Sequence, residues 1–192
     1  MLNDLYIKLI IYIKDKFFNI ALQKVISENR SADNWDKVDL PYCLSKYNQT
    51  LAIINNIDSV QTIEVYEREL FKFISVGSII VDKGNCRHSN RIRSISINGG
   101  GDHIALLRGG IYPEVFLFSL VNGKWKHKKT FKTCVDGRNN IVISLGDIRC
   151  IDFGVDTSTR KPILYFSTQK SVIIVRDYYK SSAKNLVAKV YY

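Results

Sequence analysis

The sequence has three histidines as its most versatile acid–base groups, and none of them stands in a catalytic pattern. A nucleophilic serine or cysteine needs a neighbouring base and an acid that orients this base. No such set is recognisable, and Asp147, Asp152 and Asp156 have the positions of turn and strand-face residues. We therefore expect that the protein is not an enzyme. The histidines lie in basic or turn-like stretches: His88, His103 and His127.

The cysteines do not form a metal-binding pattern either. Cys86-Arg87-His88 is the one close pair of soft ligands, and its spacing is not that of a structural zinc site. The wide and irregular cysteine spacings, in a chain too large to depend on disulfides, indicate reduced and mostly buried thiols. We expect no metal and no other cofactor, and we expect a cytoplasmic or nuclear protein. The cysteines are Cys43, Cys86, Cys134 and Cys150.

The clearest local signal is a basic segment from Lys124 to Lys132, in which five lysines accompany one Trp, one His and one Phe. In a regular strand Trp125, His127 and Lys129 would share one face. Lysines neutralise phosphates, and an aromatic ring can stack on a base, so this segment could bind RNA, single-stranded DNA or an anionic membrane surface. The structural alternative is a solvated strand in which Trp125 is buried and the lysines protect a sheet edge. The candidate nucleic-acid-binding residues are Lys124, Trp125, Lys126, Lys128, Lys129 and Lys132.

The positive charge is concentrated in the C-terminal two-thirds of the chain. The whole sequence has a net charge of +10. Residues 1–73 contain 9 Lys and Arg against 10 Asp and Glu, whereas residues 74–192 contain 19 against 8. The later part therefore has a basic face, which favours an acidic partner.

The first 30 residues are predicted to form an amphipathic helical segment. Apolar side chains recur every three or four positions over residues 1–26, with polar residues between them. The apolar stretch is too short and too charged for a transmembrane segment, which needs about 20 residues. We expect this helix to pack on the rest of the chain or on a partner through Leu5, Leu9, Ile13 and Phe17.

Residues 40–180 are predicted to form a β domain of about three meander units. Short runs rich in Ile, Val, Phe and Tyr alternate with Gly, Asn, Asp and Ser, which is typical of antiparallel strands and turns. Asn122-Gly123 is the best hairpin signal because both central residues of a type I′ turn need a positive φ. Residues 181–192 are either a tail or a last strand. The fold class is therefore mainly β with an N-terminal helix.

Two of these units, Ile92–Leu120 and Ile148–Asp177, resemble blades of the WD-repeat β-propellers. Arg176-Asp177 stands where that family has Trp-Asp, and no unit has the family's Gly-His. With a fainter unit before them, the resemblance covers about residues 40–178. Three blades are fewer than the roughly four to eight that close a ring. The chain is therefore either a partial or incomplete propeller, or the resemblance is to β-meanders in general. Open edges would then bind another chain.

The N-terminal helix is similar to the first half of an F-box. The similar residues run from Leu2-Asn3-Asp4-Leu5 to Ile20-Ala21-Leu22, and Asn3 replaces the family's usual Pro. This resemblance implies that the protein would be a substrate adaptor of a ubiquitin ligase.

The leading hypothesis is a non-enzymatic intracellular interaction module or scaffold with a basic binding face. Its partner would be another protein or a second copy of the chain. The alternatives are the nucleic-acid-binding protein and the F-box-like adaptor.

Overall fold

The structure of the protein is a computed structural model. It describes residues 42–45, 49–57, 60–70, 72–83, 92–110, 113–132, 134–136, 142–179 and 186–191. The predicted N-terminal helix, with Leu5, Leu9, Ile13 and Phe17, lies outside the described residues. In the described part of the chain, fourteen strands form three sheets. No helix in these ranges has the length and apolar character needed to cross a membrane.

The first sheet is a four-stranded antiparallel meander. In β2, alternate side chains point to opposite faces, as the strand geometry requires. Ala52 and Ile54 face the second sheet, whereas Leu51 and Ile53 belong to a small separate cluster on the other face. The strands are β1 (Tyr42–Leu44), β2 (Thr50–Ile57), β3 (Val60–Glu69) and β4 (Lys72–Lys83).

The second sheet repeats this meander. Its last two strands are joined at Asn122-Gly123, where φ is 52° at Asn122 and 71° at Gly123. The tight hairpin predicted from these two residues is confirmed, since both of them have the positive φ of a type I′ turn. The strands are β5 (Ile92–Ile97), β6 (His103–Arg108), β7 (Glu114–Val121) and β8 (Lys124–Phe131).

The third sheet has six strands and is mixed. Four of them form a third antiparallel meander, and β9 joins its last strand in parallel. A short 3-10 turn at Leu145–Asp147 precedes β11. Residues 186–191 therefore form a last strand. The strands are β9 (Cys134–Asp136), β10 (Val142–Ile143), β11 (Cys150–Val155), β12 (Pro162–Ser167), β13 (Val172–Arg176) and β14 (Leu186–Tyr191).

The second sheet is covered on both faces. In β6, Ile104 and Leu106 pack toward the first sheet, and Ala105 and Leu107 pack toward the third. All four side chains are fully buried, which explains why this strand reads as a continuous apolar run. The second sheet thus contributes to the two main cores.

The first strands of the three meanders lie together, because β5 contacts both β1 and β11. Ser94 and Ser96 of β5 connect it to β11. The Ser94 hydroxyl accepts a hydrogen bond from the Ile151 N–H (3.1 Å), and the Ser96 hydroxyl donates to Asp152 Oδ1 (2.6 Å). Both serines are buried, so these bonds satisfy polar groups inside the fold. The mainly β class is confirmed, and the propeller relationship stays a prediction.

Candidate binding sites

β8 contains most of the basic segment and is the outer strand of the second sheet. Among the described strands it pairs only with β7, so the backbone groups on its other side have no ladder partner there. Lys124, Lys126 and Lys128 are exposed. Within the described residues, none of these three lysines forms an ion pair. Among the described residues, they form a row of uncompensated positive charges on an outer sheet edge.

The prediction that Trp125, His127 and Lys129 share one face is wrong for Lys129, whereas Trp125 and His127 do share a face. Leu117 pairs with Lys129, whereas the next residue, Phe118, pairs with His127. Lys128 is therefore the extra residue of a β-bulge. A bulge interrupts the two-residue alternation, so side chains beyond it lie on the opposite face from the one predicted.

Trp125 and His127 of β8 lie on the face toward the core between the first and second sheets, whereas Phe131 belongs to the core between the second and third. Trp125 is half-buried against that core. The His127 ring lies edge-on to Phe118, with 5.5 Å between the ring centroids, and its Nε2 is 2.8 Å from Thr130 Oγ1. Part of the Trp125 side chain therefore packs on the core, and the nucleic-acid-binding role of the segment stays a prediction.

The last two lysines of the segment contact the sheet itself. Lys129 Nζ lies 5.1 Å from the centre of the Phe131 ring, and Lys132 Nζ lies 3.6 Å from Glu114 Oε1. Glu114 is buried and also forms an ion pair with Arg108. Lys129 and Lys132 are thus less available to a partner than the three exposed lysines before them.

β4, the outer strand of the first sheet, lies beside β8 and differs from it in chemistry. It exposes the aliphatic side chains of Ile74, Val76 and Ile80. Two irregularities in its pairing with β3 distort its edge. An apolar edge and a basic edge are therefore neighbours on the outer side of these two sheets.

A second site, the basic cleft, lies between the second and third sheets and was not predicted. It is a cavity of about 790 Å³. Its charged lining residues are Arg93, Arg149 and Lys170, with Asp147 as the one acid. Ile143, Ile148 and Ile173 provide its apolar lining. We use the name basic cleft for the cavity lined by these seven residues.

Arg93 reaches the basic cleft from β5 and is held in place by the backbone. Its Nη1 donates a hydrogen bond to the Gly146 carbonyl (3.1 Å). The same side chain lies on Gly109, where a Cβ would clash with Arg93 Nε. An alanine at position 109 would therefore force the Arg93 side chain to move.

Two tight turns place the other charged side chains of the basic cleft. The Ser144 hydroxyl accepts from the Gly146 N–H (3.2 Å), which fixes the 3-10 turn before Asp147. On the facing side, Thr168 Oγ1 accepts from the N–H groups of Lys170 (3.2 Å) and Ser171 (3.0 Å). Side-chain hydrogen bonds of this type define short turns, and here they orient the segment that contains Lys170.

The charges of the basic cleft are not balanced. Arg93, Arg149 and Lys170 are exposed, and no carboxylate in the described part of the chain pairs with any of them. The sequence does not predict the cleft, because its lining residues come from distant segments that only the fold brings together.

Two aspartates outside these sites have lowered pKa values. Partial burial alone would raise the pKa of Asp102, but hydrogen bonds with His103 and Asn98 lower it below the usual range. Asp156 Oδ1 accepts from the Ser158 hydroxyl (2.5 Å), and its Oδ2 accepts from Arg176 Nε (2.8 Å). These bonds lower the pKa of Asp156 strongly, and the bond from Ser158 has the largest effect. Both aspartates lie in turns between strands.

The described cysteines are free thiols. Burial, and then the nearby Asp136, raise the pKa of Cys134 to about 12. Burial also raises the pKa of Cys43, whereas Cys150 is exposed. In the ranges that the structure describes, no group of three His, Cys, Asp or Glu side chains could hold a metal ion.

No protein-family model and no curated protein matches the sequence of this chain.

Proposed function

We propose that the protein is a non-enzymatic intracellular interaction module that binds an acidic partner protein along β8. The observation that supports this proposal best is the combination, in one strand, of an unpaired edge with Lys124, Lys126 and Lys128. An extended segment of the partner would add to the second sheet next to β8. Backbone hydrogen bonds would provide affinity, and acidic side chains would provide specificity.

A protein partner fits the surroundings of β8 better than a nucleic acid does. The adjacent β4 exposes aliphatic side chains, which a protein can cover with its own apolar residues. A single strand of nucleic acid instead needs free aromatic rings for its bases. Trp125, the one Trp of the segment, packs against the core.

The test is the binding of a fluorescent peptide with alternating Glu and Val to the full chain, measured by anisotropy. Exposed ion pairs contribute about 0.2–1 kcal/mol each. The triple change Lys124→Ala, Lys126→Ala, Lys128→Ala should therefore weaken binding about tenfold. Lys161→Ala is the matched control, because this exposed lysine lies on the β11–β12 turn and should leave affinity unchanged.

A second arm tests the addition of a strand directly. A peptide with the same charges, but with N-methyl groups on the amides of one edge, cannot form the backbone ladder and should lose binding. Equal binding of both peptides would contradict the proposal.

The nucleic-acid alternative keeps one supporting observation, the three exposed lysines. It predicts that a single-stranded oligonucleotide binds more tightly than the peptide, and that Trp125→Ala removes this binding.

The F-box-like adaptor stays a prediction on residues outside the described ranges. Deletion of residues 1–26 should then abolish capture of the ligase adaptor while the β domain stays folded.

A further inference from the structure

We propose that the basic cleft binds a small phosphate monoester, with the phosphate on its cations and the organic body in the remaining volume beside Ile143. The cleft uses Arg93 of β5 and the turns of the third sheet, whereas the proposed partner surface is β8. The two sites share no residue, so this inference does not depend on the proposed function.

The charge of the basic cleft matches that of a phosphate monoester. Arg93, Arg149 and Lys170 face one carboxylate, Asp147, which leaves two positive charges without compensation. A phosphate monoester has a charge of about −1.5 to −2 at pH 7, whereas a single carboxylate has −1. A dianionic phosphate therefore neutralises the cleft more completely than a carboxylate does.

The donors of the basic cleft are partly positioned before any ligand binds. The Arg93 guanidinium is held between the Gly146 carbonyl and the backbone of Gly109. A side chain that is already ordered loses less conformational entropy on binding. The planar guanidinium can also donate two parallel hydrogen bonds to phosphate oxygens, which favours phosphate over other anions.

The size and lining of the basic cleft require more than a free phosphate ion. Its volume of about 790 Å³ lies in the range of pockets for organic ligands, about 300–1,000 Å³. Of its three isoleucines, Ile148 and Ile173 are almost completely buried, whereas Ile143 is only partly buried. The volume of the cleft and the partly exposed Ile143 suit an organic body attached to the phosphate.

The test uses isothermal titration of the full chain with adenosine 5′-monophosphate as the probe. Adenosine contains only the organic part of the probe, and inorganic phosphate only its anionic part. Each should bind at least about tenfold more weakly than adenosine 5′-monophosphate. Glucose 6-phosphate is a monoester with a polar body, and it should bind more weakly than the nucleotide, because only the nucleotide base can pack on Ile143. No binding of either monoester would overturn the proposal.

Variants assign the binding to the basic cleft. The double change Arg149→Gln, Lys170→Gln removes two charged donors and should weaken nucleotide binding about tenfold or more. Lys161→Gln is the matched control outside the cleft. Asp147→Asn should strengthen binding about threefold, since it removes the one negative charge. This gain cannot result from a folding defect.

Two results would refute the assignment. One is nucleotide affinity that stays the same in the Arg149→Gln, Lys170→Gln chain. The other is adenosine binding as tight as nucleotide binding, because the cations would then have no role.

Discussion

Ser96 of β5 donates a hydrogen bond to Asp152 of β11 over 2.6 Å, and the Phe153 N–H lies 3.3 Å from the same hydroxyl. This contact joins strands of two different sheets that share no backbone ladder with each other. Ser96→Ala should therefore lower the free energy of unfolding by about 1–2 kcal/mol. Urea denaturation measures this change.

Ser78→Ala is the control for Ser96→Ala. Ser78 lies exposed on β4, and its removal should change the free energy of unfolding by less than about 0.5 kcal/mol. Equal effects of the two variants would show that the Ser96–Asp152 contact does not stabilise the fold.

Gly101→Ala should destabilise the protein more than Gly123→Ala does. Both glycines have a positive φ, 75° and 71°, so an alanine at either position costs about 1 kcal/mol or more. A Cβ at Gly101 would also come within 2.5 Å of Thr50 Oγ1 on β2, whereas a Cβ at Gly123 meets nothing within 4 Å. Thermal unfolding of the two variants should show this difference. A lower melting temperature for Gly123→Ala would be inconsistent with the contact between the β5–β6 turn and the first sheet.

Asp156→Asn should reduce stability at neutral pH and have progressively less effect in acid. The folded pKa of Asp156 is depressed by Ser158 and Arg176. A carboxylate of this kind stabilises the fold above its ordinary pKa, about 3.9, and the stabilisation is lost as the pH falls toward the depressed value. Urea denaturation of the unchanged protein and of Asp156→Asn between pH 7 and pH 2.5 should show a difference in the free energy of unfolding. This difference should become smaller below about pH 4. A constant difference would exclude the charged form of Asp156 as its origin.

Cys150 should react with a thiol reagent in the native protein, and Cys134 should not. Thiolate is the reactive form, and a pKa of about 12 leaves very little of it on Cys134 at pH 8. Peptide mapping by mass spectrometry after brief labelling distinguishes the two residues. Cys134 should become reactive once urea unfolds the protein. Rapid native labelling of Cys134 would mean that the core between the second and third sheets opens readily.

The meanders were predictable because their signals are local. Strand alternation and turn residues indicated the units Ile92–Leu120 and Ile148–Asp177, and the structure forms antiparallel meanders in both. β9 and β10 have only three and two residues, which is too short for a recognisable period. The parallel pairing of β9 with β14 joins distant parts of the chain, so no local pattern indicates it.

The side-chain arrangement of the two candidate sites is also not indicated by any local sequence pattern. The bulge at Lys128 depends on how β7 and β8 pair, and composition alone predicted a regular alternation instead. The basic cleft requires Arg93 and Lys170 to meet across two sheets. Neither of them stands out among the many basic residues of the C-terminal part of the sequence.

The burial of the second sheet on both faces also has a consequence for evolution. A mutation on either face of β6 disturbs a different core, so Ala105 and Leu106, although adjacent in sequence, are constrained by different neighbours. Compensating changes for the first should arise in the third sheet, and those for the second in the first sheet. Adjacent positions of one strand would thus covary with residues of two different sheets.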